Sequence, residues 1–487
     1  MDGESELPEG WEKTSLKNIG FWSTGGTPSR KNPEYFNGNI PWIKSGDLPD
    51  GHITSTEEKI TKEGLDSCSA KILPKGTISI ALYGATIGKL GILDFESSTN
   101  QACANCQVIN DLINRDFLFY FLLNERNNFI KTGQGGAQPN LTNQIIRDWV
   151  IPLPPLAEQR RIVAAVGALL ARVNASRERL DRVPGLLKAF RQAVLAAACS
   201  GRLTEGWREE NYQRLNRPEI DNAKFPEIIE FYQFGVPNHW IWTSIKNVLH
   251  YVQYGLSIKA DADEQTGIPI LRMGNIQDGL LNFDDLKYIQ ATQEELSQFY
   301  LDSGDVLFNR TNSPELVGKS AVYDVDKKMT FASYLIRIKV NQELLFSKYL
   351  NYWINSNWGR EWARKVRTDG VSQSNINGKK LQQMPIPLPP LPEQHEIVRR
   401  VESLFTLTDH IEQRVAIGKE RADRLTQAIL AKAFRGELVP TEAELARSEG
   451  REYEPAEVLL ERIKKNQEMS GGKSKRKTRI PRTKEPV

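Results

Sequence analysis

The chain has 487 residues, of which 39% are hydrophobic and 26% charged, and its formal net charge is only +3. A chain of this length needs more than one hydrophobic core, and the composition excludes a disordered or fibrous protein. The N-terminus lacks a signal-peptide pattern and no apolar run approaches the ~20 residues of a membrane span, so we expect a cytoplasmic protein that does not cross a membrane.

Residues 1–152 are predicted to form a mixed α/β domain. Short apolar, β-branched runs such as Thr77–Leu82 alternate with Gly, Asn and Pro turns, and a helical pattern covers Asp116–Asn124. Cys103 and Cys106 form a Cys-x-x-Cys pair, but no second pair or histidine follows at metal-ligand spacing. We therefore expect reduced thiols here rather than a zinc site.

Residues 153–201 are predicted to form one long helix. Apolar residues recur at alternating steps of four and three after Pro154-Pro155, which is the heptad pattern of a helix that packs on another helix. Gly201 is a stop signal, whereas Pro184 should kink the helix or restart it. The predicted packing positions are Ile162, Val166, Leu169, Val173, Leu180 and Leu187. Residues 202–235 are charged, show little periodicity and are interpreted as a linker.

The rest of the chain repeats this pattern. IPLPPLAEQ at Ile151–Gln159 returns as IPLPPLPEQ at Ile386–Gln394, 235 residues later (386 minus 151), and the offset holds without a gap along both helices. The domains match with small insertions, for example LPEGWEKTSLKNI from Leu7 with VPNHWIWTSIKNV from Val236. A repeat of this length determines the architecture, so residues 236–387 should form a second mixed α/β domain.

Residues 388–436 are predicted to form a second long helix that ends at Gly436. Two helices of equal length and register would each expose an apolar seam if alone, so we expect them to pack on each other as a coiled coil. The predicted packing positions are Ile397, Val401, Leu404, Ile411, Val415 and Leu425. Residues 437–487 should contain a C-terminal helix near Ala456–Lys465 and a basic, disordered tail from Gly471.

This arrangement resembles the specificity subunit of type I restriction-modification systems. The resemblance covers nearly the whole chain and rests on the duplicated, ordered set of motifs rather than on any one of them. Besides the two IPLPPL-EQ strings, the motifs are GGTPSR from Gly25, NIPWIKSGDL from Asn39, GATIGK from Gly84, TNQAC from Thr99 and AFRGEL at Ala433–Leu438.

The resemblance implies an α+β protein with two target-recognition domains that read a bipartite double-stranded DNA site. It implies that the two antiparallel helices set the spacer, and that the chain binds two methyltransferase subunits and two restriction/translocase subunits. The S-adenosylmethionine, ATP and Mg sites of the family lie on those partners, so no cofactor is expected on this chain. GATIGK corresponds in the second repeat to the longer segment RTNSPELVGK at Arg310–Lys319, which indicates that the two half-sites differ.

Candidate DNA contacts are polar and basic residues on Gly-rich loops, where the backbone can approach phosphate and side chains can reach base edges. Solvated loops or turn-forming amides are the alternative interpretation, above all for the Gln and Asn pairs. The first domain offers Arg30, Lys31, Lys44, Lys89, Gln138 and Asn140; the second offers Lys259, Arg272, Arg310, Lys319, Gln373 and Asn375.

No catalytic residue is predicted. Val317–Ser320 lacks the first glycine of a phosphate-binding loop, Asn32–Tyr35 lacks a proline of the adenine-methyltransferase motif, and Asp50, Glu57 and Lys59 are too compressed for a metal nuclease. Two functions remain: a DNA-recognition subunit, or a coiled-coil scaffold whose two heads bind protein or RNA. Selection from random duplex DNA distinguishes them, because only the first should enrich a split sequence with a fixed gap.

Overall fold

The computed structural model describes residues 6–109, 112–133, 140–220, 234–260, 263–371 and 373–474. Contacts divide the chain into two units, Met1–Arg179 with Ile417–Val487, and Leu180–Ala416. Both long helices cross the division, so each unit contains one α/β domain and half of each long helix.

The first unit is built on a five-stranded sheet of order β2-β9-β6-β7-β4 and a three-stranded sheet of order β5-β3-β8. A third pair, β1 with β10, brings the start of the domain against its end, with Glu12 opposite Leu153. The strands are β1 Glu12–Ser15, β2 Gly20–Thr24, β3 Phe36–Ile43, β4 Gly51–Ile53, β5 Lys59–Ile60, β6 Ile78–Ala81, β7 Leu90–Leu93, β8 Ser98–Thr99, β9 Cys103–Val108 and β10 Val150–Leu153.

Helices of the first unit pack on this framework. One core joins the five-stranded sheet and the apolar face of α2 to both long helices and to α12. The segment after α10 therefore returns to the first domain, and the backbone N–H of Ala456 donates to the carbonyl of Gly10 at 3.0 Å. The helices are α1 Lys62–Asp66, α2 Arg115–Gly133, α3 Asn143–Asp148, the first part of α4 Leu156–Cys199, the last part of α10 Leu391–Phe434, α11 Glu442–Glu449 and α12 Ala456–Ser474.

The second unit repeats the framework with its own variations. Its main sheet has the order β12-β21-β17-β19, and smaller sheets have the orders β16-β13-β20, β18-β23-β22, β11-β24 and β14-β15. The strands are β11 Ile241–Ser244, β12 Leu249–Tyr254, β13 Ile268–Leu271, β14 Ile276–Gln277, β15 Leu280–Leu281, β16 Lys287–Ile289, β17 Val306–Asn309, β18 Thr311–Asn312, β19 Ser320–Val322, β20 Thr330–Phe331, β21 Leu335–Val340, β22 Thr368–Asp369, β23 Ser374–Asn375 and β24 Pro385–Leu388.

Helices of the second unit complete a core that includes the end of α4 and the start of α10. The stretch interpreted as a linker begins with helix α5, whose Arg208 pairs with the buried Glu393 at 2.9 Å, so this part of it is packed structure. Residues 221–233 lie outside the described residues. The helices here are α5 Glu205–Asn211, α6 Gln293–Leu296, α7 Ser347–Asn355, α8 Asn357–Val366 and α9 Gly378–Gln382.

The repeated Glu-Gln of IPLPPL-EQ anchors each domain to the first turn of a long helix. The indole N–H of Trp11 donates to Glu158 at 2.9 Å, and that of Trp240 donates to Glu393 at 2.8 Å. Both carboxylates are buried, and burial raises the pKa of Glu158. A buried carboxylate is stable only with donors around it, which explains why the tryptophan and the glutamate recur together in the two repeats.

The predicted helix seam is present, with two corrections. All predicted packing positions are buried or partly buried except Leu425, whose side chain is 51% exposed; Ala422 and Ile429 are buried there instead. An α-helix of 3.6 residues per turn drifts from a strict heptad, which turns position 425 toward solvent. Pro184 does not restart the helix, because α4 runs through it from Leu156 to Cys199.

The helices run antiparallel in each unit. In the second unit Arg191 on α4 pairs with Asp409 at 2.6 Å, while beyond the end of α4 the carbonyl of Leu203 accepts from Arg400 at 2.9 Å. Helix α4 ends just before Gly201 and α10 just before Gly436, both at positive φ (81° and 74°). The α+β class with two tandem domains and two long packed helices is thus confirmed. No helix within the described ranges is both long and apolar enough to span a membrane.

Candidate nucleic-acid interface

Loops at one end of the main sheet meet around Arg310 in the second unit. Its backbone N–H donates to the carbonyl of Tyr334 at 3.0 Å, and its carbonyl accepts from Ile376 at 2.9 Å. The residue that follows β17 therefore lies between the loop after β20 and the strand β23. The Asn309 side chain adds a bond to the carbonyl of Met273 at 3.3 Å, which brings in the turn after β13.

The first unit places its loops by the same backbone bonds. The N–H of Leu82 donates to Ala102 at 2.8 Å, and its carbonyl accepts from Leu141 at 2.7 Å. Leu82 is therefore the structural counterpart of Arg310. Its side chain is only 4% exposed and belongs to the core, so the two repeats present different chemistry at an equivalent point.

Two glycines bring the end of the second strand of each domain, β2 and β12, against the opposite loop. A Cβ on Gly25 would lie 2.1 Å from the carbonyl oxygen of Asn100, and one on Gly255 would lie 2.3 Å from that of Phe331. Neither distance is possible, so both positions require glycine. Thr24 and Tyr254, the residues just before these glycines, are thereby placed at equivalent points.

The turn after the third strand is also repeated and carries a basic residue in both domains. The N–H of Lys44 donates to the Asp47 carboxylate at 2.9 Å, and that of Arg272 donates to the Asn275 amide oxygen at 2.8 Å. This side-chain bond fixes the turn and leaves the basic side chain at its edge.

Acidic residues form salt bridges with several of these basic side chains. Glu58 accepts from Lys44 at 2.6 Å and from Arg30 at 2.8 Å, and Asp285 pairs with Arg272 at 2.9 Å. The bond to Lys44 lowers the pKa of Glu58 and raises the pKa of Lys44, so the pair stays ionised at neutral pH. Three of the predicted cations thus have a carboxylate partner that the sequence analysis did not identify.

The other predicted cations differ in exposure. Lys31 and Lys259 are exposed, whereas Lys89 and Lys319 are partly buried. Lys89 and Lys319 follow Gly88 and Gly318, which have φ of 77° and 84°. The carbonyls of the two lysines accept from the backbone N–H groups at the ends of β6 and β17, at 2.9 and 2.8 Å. Their backbone is therefore part of a repeated hairpin.

The contacts of some Gln and Asn candidates support the alternative interpretation, in which these amides are structural. Asn375 lies in β23, and its side chain donates to the Thr311 hydroxyl at 2.8 Å. Gln373 is exposed, and its carbonyl accepts from Gly370 across a turn at 2.8 Å. Asn140 is exposed and forms a backbone bridge with Tyr83. Gln138 lies outside the described residues.

Tyr254 is a candidate interface residue that sequence reasoning missed. The guanidinium carbon of Arg310 lies 4.8 Å from the centre of its ring, and its hydroxyl accepts from the N–H of Gly378 at 2.7 Å. The sequence did contain one signal for it. Tyr254 directly precedes Gly255, just as the matching strand of the first repeat ends directly before Gly25.

The catalytic near-misses have structural explanations. Asp50 bonds to Arg126 at 2.9 Å, and Pro33–Tyr35 forms a short 3-10 turn. Cys103 and Cys106 are free and buried on β9, and burial raises the pKa of Cys103 to about 12. Within the described residues no cluster of three His, Cys, Asp or Glu could hold a metal ion.

Comparison with known proteins gives consistent matches. A family model described as "Type I restriction modification DNA specificity domain" matches residues 8–183 and 237–417. The chain is 30% identical over 485 residues to the EcoKI specificity subunit of Escherichia coli K12, covering 96% of this chain and 98% of that one. It is 32% identical over 369 residues to the EcoDI specificity subunit of Escherichia coli, covering 74% and 79%.

Solved structures share the fold. A chain from a study of complex assembly and conformational transition of the type I R-M system superposes with a TM-score of 0.64 at 22% identity, covering 89% of this chain and 100% of that one. The HsdS subunit from Thermoanaerobacter tengcongensis gives a TM-score of 0.51 at 22% identity, with coverages of 90% and 99%.

Proposed function

The chain belongs to the family of type I restriction-modification DNA specificity subunits, and from that premise we propose how its parts divide the work. Each α/β domain reads one half of a split double-stranded DNA target, and the two long helices set the distance between the halves. One observation carries this proposal: equivalent backbone bonds place Leu82 in one repeat and Arg310 in the other at the same point of the loop end. A shared frame with different side chains suits two readers of different sequence.

The reading surface in each domain is the loop end described above. In the first domain it includes Arg30, Lys31, Lys44, Lys89 and Asn140, and in the second Lys259, Arg272, Arg310, Lys319, Gln373 and Asn375. Arg and Lys position the protein on phosphates, and the few that reach base edges provide specificity.

The duplication of the chain also leads us to propose partners that bind in two copies. One chain binds two methyltransferase subunits through its long helices and two restriction/translocase subunits through the assembled complex, and it acts in the cytoplasm. Phe190 on α4 and Leu425 on α10 lie 235 residues apart (425 minus 190) at equivalent helix positions, and they are 39% and 51% exposed. Two matching exposed apolar side chains are suited to two copies of one partner. Native mass spectrometry should show two methyltransferase subunits per chain; saturation at one would contradict this stoichiometry.

We also propose that the chain itself neither methylates nor cuts DNA, with the S-adenosylmethionine, ATP and Mg sites on its partners. Asp50, the acidic residue nearest to a nuclease pattern, is committed to Arg126. Methyl transfer from labelled S-adenosylmethionine by the chain purified away from its partners would overturn this.

Selection from a random duplex library tests the recognition function. The full chain, assembled with its methyltransferase subunits, should enrich two different short sequences separated by a gap of constant length. Enrichment of a single continuous sequence, or of none, would contradict the proposal and favour a scaffold with protein- or RNA-binding heads.

A further inference from the structure

Arg310 differs from the other arginines proposed to face DNA. Arg30 and Arg272 are paired with carboxylates, whereas Arg310 forms no salt bridge to any acidic residue within the described ranges. Its charge is balanced instead by the ring face of Tyr254 at 4.8 Å and by the carbonyl of Ser333 at 3.3 Å. The guanidinium is thus held in place while its charge remains available to a ligand.

The Tyr254 ring, on which Arg310 lies, is itself fixed in place. Tyr254 ends β12, and its hydroxyl accepts from the N–H of Gly378 at the start of α9. A Cβ on Gly378 would lie 3.1 Å from this hydroxyl, so ring and helix are in close contact. The ring therefore cannot turn away without losing a hydrogen bond, which makes it a rigid support for the guanidinium.

We propose that Arg310, held on the ring of Tyr254, reads a guanine in the half-site of the second domain. This inference rests on the proposed recognition function. Stacking on an aromatic ring occupies the flat face of a guanidinium and leaves its in-plane edge open to a ligand. In Arg310 one N–H of Nη1 donates to Ser333, so the donors left for a base are on Nη2 and the second N–H of Nη1. A planar pair of donors matches the O6 and N7 acceptors of guanine in the major groove, whereas a phosphate contact does not need a fixed plane.

The first domain lacks this pair of residues. Its counterpart of Arg310 is the buried Leu82, and its counterpart of Tyr254 is Thr24, whose hydroxyl accepts from Asn143 at 3.2 Å. Asn143 and Gly378 are equivalent, so the same junction is used with different chemistry. Disturbing the pair should therefore affect only one half-site, and the other half-site serves as an internal control for folding.

The test measures base preference with the full chain assembled with its methyltransferase subunits. Arg310→Leu introduces the side chain of the first repeat and should reduce the preference for one guanine of the second half-site by about 5- to 150-fold. Tyr254→Leu should reduce it by about 2- to 30-fold, while Tyr254→Phe, which keeps the ring but loses the hydroxyl bond to Gly378, should reduce it less than Tyr254→Leu does.

Tyr251→Leu is the matched control. Tyr251 lies on the same strand and has Arg337 over its ring at 5.5 Å, but Arg337 is 4% exposed and bonded to Tyr300 and Asp305. Losing this ring should leave base preference unchanged. A loss equal to that of Tyr254→Leu would overturn the positioning role of Tyr254.

A second measurement changes the DNA instead of the ring. Replacing each guanine of the second half-site in turn by 7-deazaguanine should weaken binding of the unsubstituted chain several-fold at one position, and that position should be insensitive in Arg310→Leu. The absence of a sensitive guanine, or a change in salt dependence without a change in base preference, would overturn the inference. If the unsubstituted chain selects no split sequence, the recognition function itself fails instead.

Discussion

At the scale of single residues, three basic side chains of the candidate interface, Arg30, Lys44 and Arg272, are paired with acidic ones. The sequence identified Lys44 and Arg272 as candidate DNA contacts, and the structure adds that Glu58 and Asp285 pair with them. Those partners lie 14 and 13 residues further along the chain, on another segment of the fold, and no local pattern connects them. The sequence could predict that these residues are basic, but not that each one is paired with a carboxylate.

Glu58→Gln should therefore alter DNA binding in a defined direction. Removing the carboxylate frees Arg30 and Lys44 for phosphate, so affinity for non-specific duplex should rise and the slope of log affinity against log salt should steepen by about 1 to 2. Preference at the first half-site should fall, because both cations lose their fixed position. The measurement is a binding titration at several salt concentrations.

Asp285→Asn is the matched change in the second domain and should free Arg272 alone. Its slope should change by about 1, and the loss of preference should move to the second half-site. Unchanged non-specific affinity and an unchanged salt slope in Glu58→Gln would show that this cluster does not face DNA.

At the scale of elements, local patterns predicted most of the secondary structure. The strand expected at Thr77–Leu82 is Ile78–Ala81, and the helical pattern at Asp116–Asn124 lies within helix Arg115–Gly133. Strong apolar periodicity decides such elements locally. The exposure of Leu425 and the continuity of α4 through Pro184 depend on helix geometry and on packing along the whole helix, which a heptad template does not contain.

The junction at Glu393 gives a prediction for one element. Its buried carboxylate accepts from Trp240, from the Thr204 hydroxyl at 2.7 Å and from Arg208 at 2.9 Å. Glu393→Ala leaves these donors without an acceptor and should lower the free energy of unfolding by about 3–5 kcal/mol. Urea unfolding followed by circular dichroism measures the change.

Glu420→Ala on the same helix is the control. Its pair with Arg424 is exposed at both side chains (65% and 69%), so it should change stability little. Equal urea midpoints for Glu393→Ala and the unsubstituted chain would show that the junction does not stabilise the second unit.

At the scale of the whole molecule, the internal repeat predicted two domains and two helices, but not the return of the chain end to the first domain. There the N–H of Glu442 donates to Glu158 at 2.8 Å, and Ile463 joins the first core. Contacts between residues 284 positions apart leave no periodic signal in a single sequence. The repeat shows which parts are equivalent, whereas packing decides which of them share a unit.

The central claim is that two readers are separated by helices of defined length. It is tested by lengthening both helices by one heptad, between Ala175 and Ser176 in α4 and between Arg424 and Leu425 in α10. These sites lie opposite each other, because Arg177 pairs with Asp423 at 2.9 Å, so the seam keeps its register. Seven added residues lengthen a helix by about 10 Å, or about three base pairs of DNA.

Methylome sequencing of a host that carries this variant and its partner subunits is the direct measurement. If the helices set the spacer, methylation should occur at the same two half-site sequences with a spacer longer by about three base pairs. Methylation confined to sites with the original spacer, by a variant that folds and assembles, would contradict it.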